Sequence, residues 1–204
     1  MSTIIIDYKA GNIRSIQNMI RKIGYQSQIS DQADVIKQAD KLILPGVGAF
    51  DHGVAQLKEM GLWEVIQDKG NSGTPLLGIC LGAQLMGLKS EEGHLPGLGF
   101  FNMVNKSFDK SKFEAHQKIP HMGWSTIDVK KDSRLLNLED DHSRFYFVHS
   151  YHFYTEETSL ISATCQYGYE FPCAMEHENL FALQFHPEKS HKYGMNVLKK
   201  FADL

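Results

Sequence analysis

Residues 76–88, LLGICLGAQLMGL, constrain the fold more than any other stretch, because they prescribe strand, sharp turn and helix in immediate succession with a cysteine at the bend. Leu76, Leu77 and Ile79 suit a buried strand, and Leu81, Leu85 and Leu88 recur at the spacing of one helix face. Glycines flank the cysteine on both sides. The run Gly78-Ile79-Cys80-Leu81-Gly82 has the G-x-C-x-G form of a nucleophile elbow, in which small neighbours let the chain turn tightly and lift one side chain clear. A helix start offers free N–H groups and a positive dipole end, which favour a thiolate and later an oxyanion. A buried cysteine in an ordinary strand-to-helix turn is the competing reading. The elbow alone does not separate the two.

The rest of the chain tells where that elbow sits. A β-branched run at residues 3–6 is followed by a turn and by Ile13, Ile16, Met19, Ile20 and Ile23 at helical spacing, with Gly24 as the stop. Residues 25–29 offer a second strand, residues 34–39 a short helical segment, residues 41–44 a third strand and residues 51–68 a helix buried through Val54, Leu57, Leu62, Val65 and Ile66. Alternating strands and helices imply a parallel sheet, which places ligands at the carboxyl ends of its strands. The third strand runs into Pro45-Gly46-Val47-Gly48 at that same edge, where backbone N–H groups could form an oxyanion hole. A phosphate cradle is disfavoured, since the P-loop lysine and hydroxyl are missing.

After Leu88 the pattern changes to short segments at residues 126–129, 145–148, 160–165, 173–176 and 180–185, which read as strands of a mixed sheet, with 106–118 polar and exposed. A closing helix turns Val197, Leu198 and Phe201 inward. At 204 residues, 42% hydrophobic and 22% charged, one domain over residues 1–204 is expected, of α/β class with a mainly parallel central sheet flanked by helices and additional antiparallel strands.

Composition also excludes functions. A net charge of −3, with no dominant block of either sign, gives nucleic acid no footprint. The uncharged residues 70–88 hold five glycines and Pro75, so they make a loop, strand and turn rather than a membrane span. No signal-peptide pattern opens the chain, and Cys80, Cys165 and Cys173 are odd in number without a C-x-x-C pair. A reducing, cytoplasmic setting follows, with Cys165 and Cys173 as packing residues. His149 and His152 stand three apart but no third ligand adjoins them, so no metal is expected.

Gln184-Phe185-His186-Pro187-Glu188 directly follows the last apolar run. If the backbone stays extended through Pro187, His186 and Glu188 share one face as a base with its orienting carboxylate. An imidazole within reach of a thiol lowers its pKa and later protonates a leaving amine, and a carboxylate behind the ring fixes its tautomer. A lone H-x-E is weak evidence. Together with an elbow cysteine and a glycine-rich loop it makes a set of parts for acyl transfer.

Carried by Pro45-Gly46-Val47-Gly48, Gly78-Ile79-Cys80-Leu81-Gly82-Ala83-Gln84 and Gln184-Phe185-His186-Pro187-Glu188, the chain resembles the class I (triad) glutamine amidotransferases, whose flavodoxin-like glutaminase domain releases ammonia from glutamine. Asp7-Tyr8, Gly11-Asn12, residues 120–124, residues 145–151 and Pro187-Glu188-Lys189-Ser190 are similar to the branch that serves imidazole glycerol phosphate synthase in histidine biosynthesis. The resemblance implies that Cys80 is the nucleophile, His186 the general acid/base and Glu188 its orienter. It further implies oxyanion donors at Val47 and Leu81, glutamine contacts at Gly46, Gly48, Gln84, Glu92, His149, Ser150 and Tyr151, and no cofactor. On its own residues, Glu92 reads only as a solvated loop carboxylate. A (β/α)8-barrel synthase subunit is the implied heterodimer partner, docking on Asn12, Trp124, Tyr146 and Lys189.

Three departures bear on the partner: Lys9 where glycine is frequent, Ser125 where asparagine is usual, and the tail Ser190-His191-Lys192-Tyr193-Gly194. A synthase that amidinates a bacterial surface sugar is therefore an alternative acceptor of the ammonia. From other classes, the rivals are a cysteine peptidase, a redox-sensing thiol and a non-catalytic docking protein.

Overall fold

Uncharged runs in the sequence become the centre of a nine-stranded sheet. In the computed structural model, which describes residues 2–138 and 143–204, the chain begins with β1 (Thr3–Ile6), α1 (Ile13–Lys22), β2 (Gln28–Ser30), α2 (Ala33–Lys37) and β3 (Lys41–Leu44). It continues through α3 (Phe50–Glu59), α4 (Trp63–Asn71), β4 (Leu76–Ile79) and α5 (Leu81–Leu85). After β5 (Lys89–Ser90), β6 (Val104–Ser107), β7 (His121–Val129), β8 (Arg144–His149) and β9 (Tyr151–Tyr154), it ends in β10 (Ile161–Tyr167), β11 (Tyr169–His177), β12 (Leu180–Leu183) and α6 (His191–Asp203).

The large sheet runs β2-β1-β3-β4-β12-β11-β10-β7-β8. From β2 to β12 every pairing is parallel, and from β12 to β8 every pairing is antiparallel. A small sheet, β5-β6-β9, lies apart. In β1, β3, β4 and β12 every residue is buried, as strands covered on both faces require. Alternate side chains feed the two halves of the core: Ile4, Ile6, Leu42, Leu44 and Leu76 on one face, Ile5, Ile43, Leu77 and Ile79 on the other.

Several elements differ from the reading of the sequence, each for a local reason. The single helix expected over residues 51–68 is two. Gly61 sits at φ +66 after the first, its N–H reaching the Lys58 carbonyl while Leu62 N–H reaches Leu57, the pair of bonds that closes a helix around a left-handed residue. Residues Val54, Leu57, Leu62, Val65 and Ile66 are nonetheless all buried. Helix α5 stops at Leu85, so Leu81 and Leu85 face the core but Leu88 is 42% exposed. Strand β7 starts at His121, five residues before the strand expected there, because β8 pairs with it from the His121–His149 rung onward. Within the polar stretch 106–118, Phe108 is buried against Phe113, His149 and His152. Strand β2 is shorter than residues 25–29 suggested and lies at the sheet edge.

Candidate active site

Where β4 ends, the backbone does what the flanking glycines allow. Cys80 adopts φ 52 and ψ −111, outside the regions an L-residue favours, and this lifts its side chain off the strand direction. A Cβ on Gly82 would stand 1.8 Å from the Leu44 carbonyl oxygen, and one on Gly78 would stand 2.6 Å from the Ala83 Cα. Strand and helix therefore approach too closely for any other residue. Helix α5, only five residues long, adds less dipole than a full helix would.

Beside it, β12 runs parallel in the register Leu183 to Ile79, and the Cys80 N–H donates to the Leu183 carbonyl at 2.8 Å. The two strand ends thus emerge together. Three residues beyond β12, His186 Nδ1 donates to Glu188 Oε1 at 2.8 Å, both side chains being almost fully buried. The extended backbone expected through Pro187 is not what brings them together: residues Pro187–Lys189 form a 3-10 turn. His186 is anchored by its own N–H on the Tyr146 carbonyl at 2.9 Å and by Ser190 Oγ, which donates to the His186 carbonyl at 2.6 Å and accepts from Tyr146 N–H at 3.0 Å.

With Nδ1 engaged, Nε2 of His186 is left buried and without a hydrogen-bond partner. Burial pushes the imidazolium down, but the Cys80 sulfur and the Glu188 carboxylate overcome it and raise His186 from 6.5 to about 10. The sulfur is within electrostatic reach of Nε2 short of a formed hydrogen bond, a common state of catalytic pairs before substrate arrives.

Cys80 opens into a cavity of about 270 Å³ lined by Val47, Gly48, Leu81, Gln84, Glu92, His149, Ser150 and Tyr151, all anticipated from sequence, and by Pro120 and Val148, which were not. Gly46 does not line it. That residue packs under Tyr8, Leu81 and Gly82, and its carbonyl accepts the Leu81 N–H at 3.3 Å. One of the two expected oxyanion donors is thus occupied. Glu92, at the exposed rim, accepts the Phe50 N–H at 2.9 Å and so ties the loop before β6 to the start of α3. Gln84 Nε2 donates to the Tyr151 carbonyl at 3.0 Å and to Gln184 Oε1 at 3.2 Å.

The wall behind the cavity holds two histidines whose tautomers follow from their partners. His149 Nδ1 lies 2.8 Å from the Tyr151 carbonyl, so it carries the proton; its Nε2 then accepts from His121 Nδ1 at 3.1 Å, and His121 Nε2 accepts from Ser125 Oγ at 2.8 Å. Burial holds His149 far below its usual range and His121 down at about 4. His152 turns to Phe153 and Tyr169, and among the described residues no group of three or more His, Cys, Asp or Glu side chains is arranged to hold a metal ion. His121 and Val148 went unrecognised because a cross-strand partner leaves no mark in the local sequence.

A comparison with sequence families matches residues 4–203 to the family described as Glutamine amidotransferase class-I. The chain belongs to that family. This amidotransferase is 43% identical over 202 residues to a Pseudomonas aeruginosa protein named imidazole glycerol phosphate synthase subunit HisH 2, covering 98% of each chain. It is 48% identical over 199 residues to the protein of the same name from Methanococcus maripaludis, covering 97% of this chain and 96% of that one. Among solved structures, PurLQS from Thermotoga maritima contains a chain that shares the fold with a TM-score of 0.74 at 16% identity, covering 99% of this chain and 97% of that one.

On the outside of the amidotransferase, next to the His186 turn, Trp124 is 38% exposed rather than part of the core. It lies edge-on to Tyr146 with centroids 6.2 Å apart, and the His191 ring stacks on it at 5.4 Å. The Lys189 ammonium stands 5.5 Å over the Tyr146 ring, and Asn12 is exposed at the N-terminus of α1. Lys9, which occupies a frequent glycine position, has the φ of 65° that glycine would favour, and its N–H is held by Asp7 at 3.0 Å.

Proposed function

We propose that this amidotransferase is the glutaminase component of an imidazole glycerol phosphate synthase, hydrolysing L-glutamine to glutamate and ammonia for histidine biosynthesis. The observation that carries the reading is the meeting of Cys80, His186 and Glu188 just beyond the ends of two hydrogen-bonded parallel strands, beside the cavity into which Cys80 opens. In this reading the Cys80 thiolate attacks the side-chain amide carbon of glutamine, and the His186 imidazolium gives its proton to the departing amine. Ammonia leaves and a γ-glutamyl thioester remains. His186, now neutral, takes a proton from water, the hydroxide attacks the thioester, and the returning proton sits on the imidazolium while glutamate departs.

The oxyanion of each tetrahedral intermediate is assigned to the Val47 and Leu81 amides. Since Leu81 N–H is held by the Gly46 carbonyl, the Gly46–Val47 peptide must turn before that donor is free. The chain alone is therefore a slow glutaminase. A (β/α)8-barrel synthase docking on Asn12, Trp124, Tyr146 and Lys189 is the proposed trigger and the receiver of ammonia, in the cytoplasm. The site needs no cofactor. One finding favours a second acceptor: Methanococcus maripaludis has relatives named both HisH 1 and HisH 2, at 43% and 48% identity, and a duplicated glutaminase can serve another synthase.

Glutamate release from L-glutamine, by the chain alone and with the histidine-pathway barrel protein plus its nucleotide ligand, tests the proposal. Strong activation is expected, with Cys80→Ala inactive but folded. A turnover that survives Cys80→Ala ends the thioester reading; turnover without activation by that barrel moves the chain to the second acceptor.

A further inference from the structure

Gln184 belongs to the motif that carries His186 and Glu188, yet the triad leaves it without a task. It follows Leu183, the register partner of Ile79, so it continues β12 alongside Cys80. Its side chain is fully buried, with Nε2 3.8 Å from the Cys80 sulfur. Its orientation is imposed from outside. Tyr151 offers only a carbonyl, so the Gln84 atom facing it must be the amide nitrogen, and the Gln184 atom facing that nitrogen at 3.2 Å must be the oxygen. What remains to face the sulfur is an N–H donor.

From this relay we infer that Gln184 is a catalytic residue that stabilises the Cys80 thiolate by donating a hydrogen bond to it, with Gln84 fixing which end of the amide is presented. The sulfur has two polar contacts of opposite preference. As a thiol it donates to the Val148 carbonyl at 3.8 Å; as a thiolate it can no longer do so, and the Gln184 N–H becomes the favourable partner. On ionisation the proton passes to His186 Nε2, and Gln184 holds the charge left behind. A neutral donor does this without repelling the imidazolium, which a second cation would do. The inference rests on Cys80 being the nucleophile.

Its test is the thiol pKa of Cys80 in the full chain, followed through the pH dependence of iodoacetamide alkylation, with the labelled peptide read by mass spectrometry. Removing a donor to a charged acceptor corresponds to a rise of roughly one to two pH units. Gln184→Met, which keeps the shape and drops the donor, should raise the thiol pKa by about that much and lower kcat/KM about tenfold or more at neutral pH, with recovery at high pH. Gln184→Glu should raise it further, because a carboxylate still accepts from Gln84 but repels the sulfur. An unchanged thiol pKa in both folded variants, or a lower one in Gln184→Glu than in Gln184→Met, overturns the inference. If neither variant folds, the side-chain amide resonance of Gln184 in the unmodified protein must move with the thiol titration; a resonance that ignores it is equally fatal. Turnover by Cys80→Ala would instead remove the nucleophile assignment, so the two failures are separable.

Discussion

The ends of β4 and β12 lie side by side and hold their functional side chains by opposite means. At the end of β4 the sulfur is aimed by the backbone: an unfavourable φ at Cys80, and glycines at positions 78 and 82 where a methyl group would overlap a neighbouring strand or helix. At the end of β12 the imidazole is aimed by hydrogen bonds: its ring donates to Glu188, its backbone N–H donates to the Tyr146 carbonyl and its carbonyl accepts from Ser190, with His186 at φ −100 under no strain. A nucleophile must stay in one place, while a base must exchange protons with two partners. Rigid packing suits the first and a polar network the second.

The comparison can be broken at each end. Gly82→Ala should be the most damaging, at roughly 3 kcal/mol or more, because its Cβ would need the space of the Leu44 carbonyl and backbone cannot rotate away. Urea denaturation measures it, and a loss below about 1 kcal/mol would mean that the elbow is not held by packing. At the other end, Glu188→Gln keeps the shape but loses the charge that orients the ring and supports its imidazolium. Glutamine turnover should fall by about a hundredfold or more with little change in KM. A rise in KM at constant kcat would instead make Glu188 a substrate contact.

Acid should instead loosen the antiparallel half, through the buried histidines of β7, β8 and β9. His121 sits at about 4 in the folded chain against about 6.5 unfolded, a depressed value, so its neutral form supports folding fully above pH 6.5. As pH falls below 6.5 the unfolded chain binds a proton that the folded chain refuses, and stability declines until the folded value is passed. At about 1.4 kcal/mol per unit, His121 alone removes on the order of 2 kcal/mol between pH 6.5 and 5. His149 and His152 are depressed by burial in the same direction and add to this. Denaturation curves at the two pH values should show the drop, and His121→Asn should flatten it.

The finest test is a pair of variants at one position. Cys80→Gly should be more stable than Cys80→Ala by about 1 kcal/mol, the reverse of the usual order, since both lose the thiol but only glycine is at ease at that φ. The same pair at His186 should show the ordinary order. Equal stabilities at Cys80 would place no strain in the elbow.

The parallel half of the fold and the juxtaposition of the three side chains proposed as catalytic were legible because their determinants are contiguous. A G-x-C-x-G run encodes its own turn, and Glu188 stands one residue beyond Pro187 from His186, close enough in the chain for the 3-10 turn at Pro187–Lys189 to bring the two together. What could not be read depends on residues far apart in the chain. The rung that starts β7 at His121, the His121–His149 pair and the Gln84–Gln184–Cys80 relay each join segments whose registers no local pattern reports. The break at Gly61 was local and readable in principle, but the apolar period continues through it and masks the stop.

The bond from Leu81 N–H to the Gly46 carbonyl, at 3.3 Å, is near the long limit for its type and so at the weak end of about 0.5–1.5 kcal/mol. That makes the idle arrangement shallow. A small bias leaves a residual fraction of molecules with the amide released, and under the oxyanion role proposed for Leu81 that fraction sets a background leak of glutamine hydrolysis. It also means that a partner need add only a few kcal/mol of preference to invert the populations, since about 5.5 kcal/mol carries an equilibrium from 1:99 to 99:1. Leak and gain are two ends of one balance: a stronger bond would waste less nitrogen at rest and demand a costlier interface to switch on.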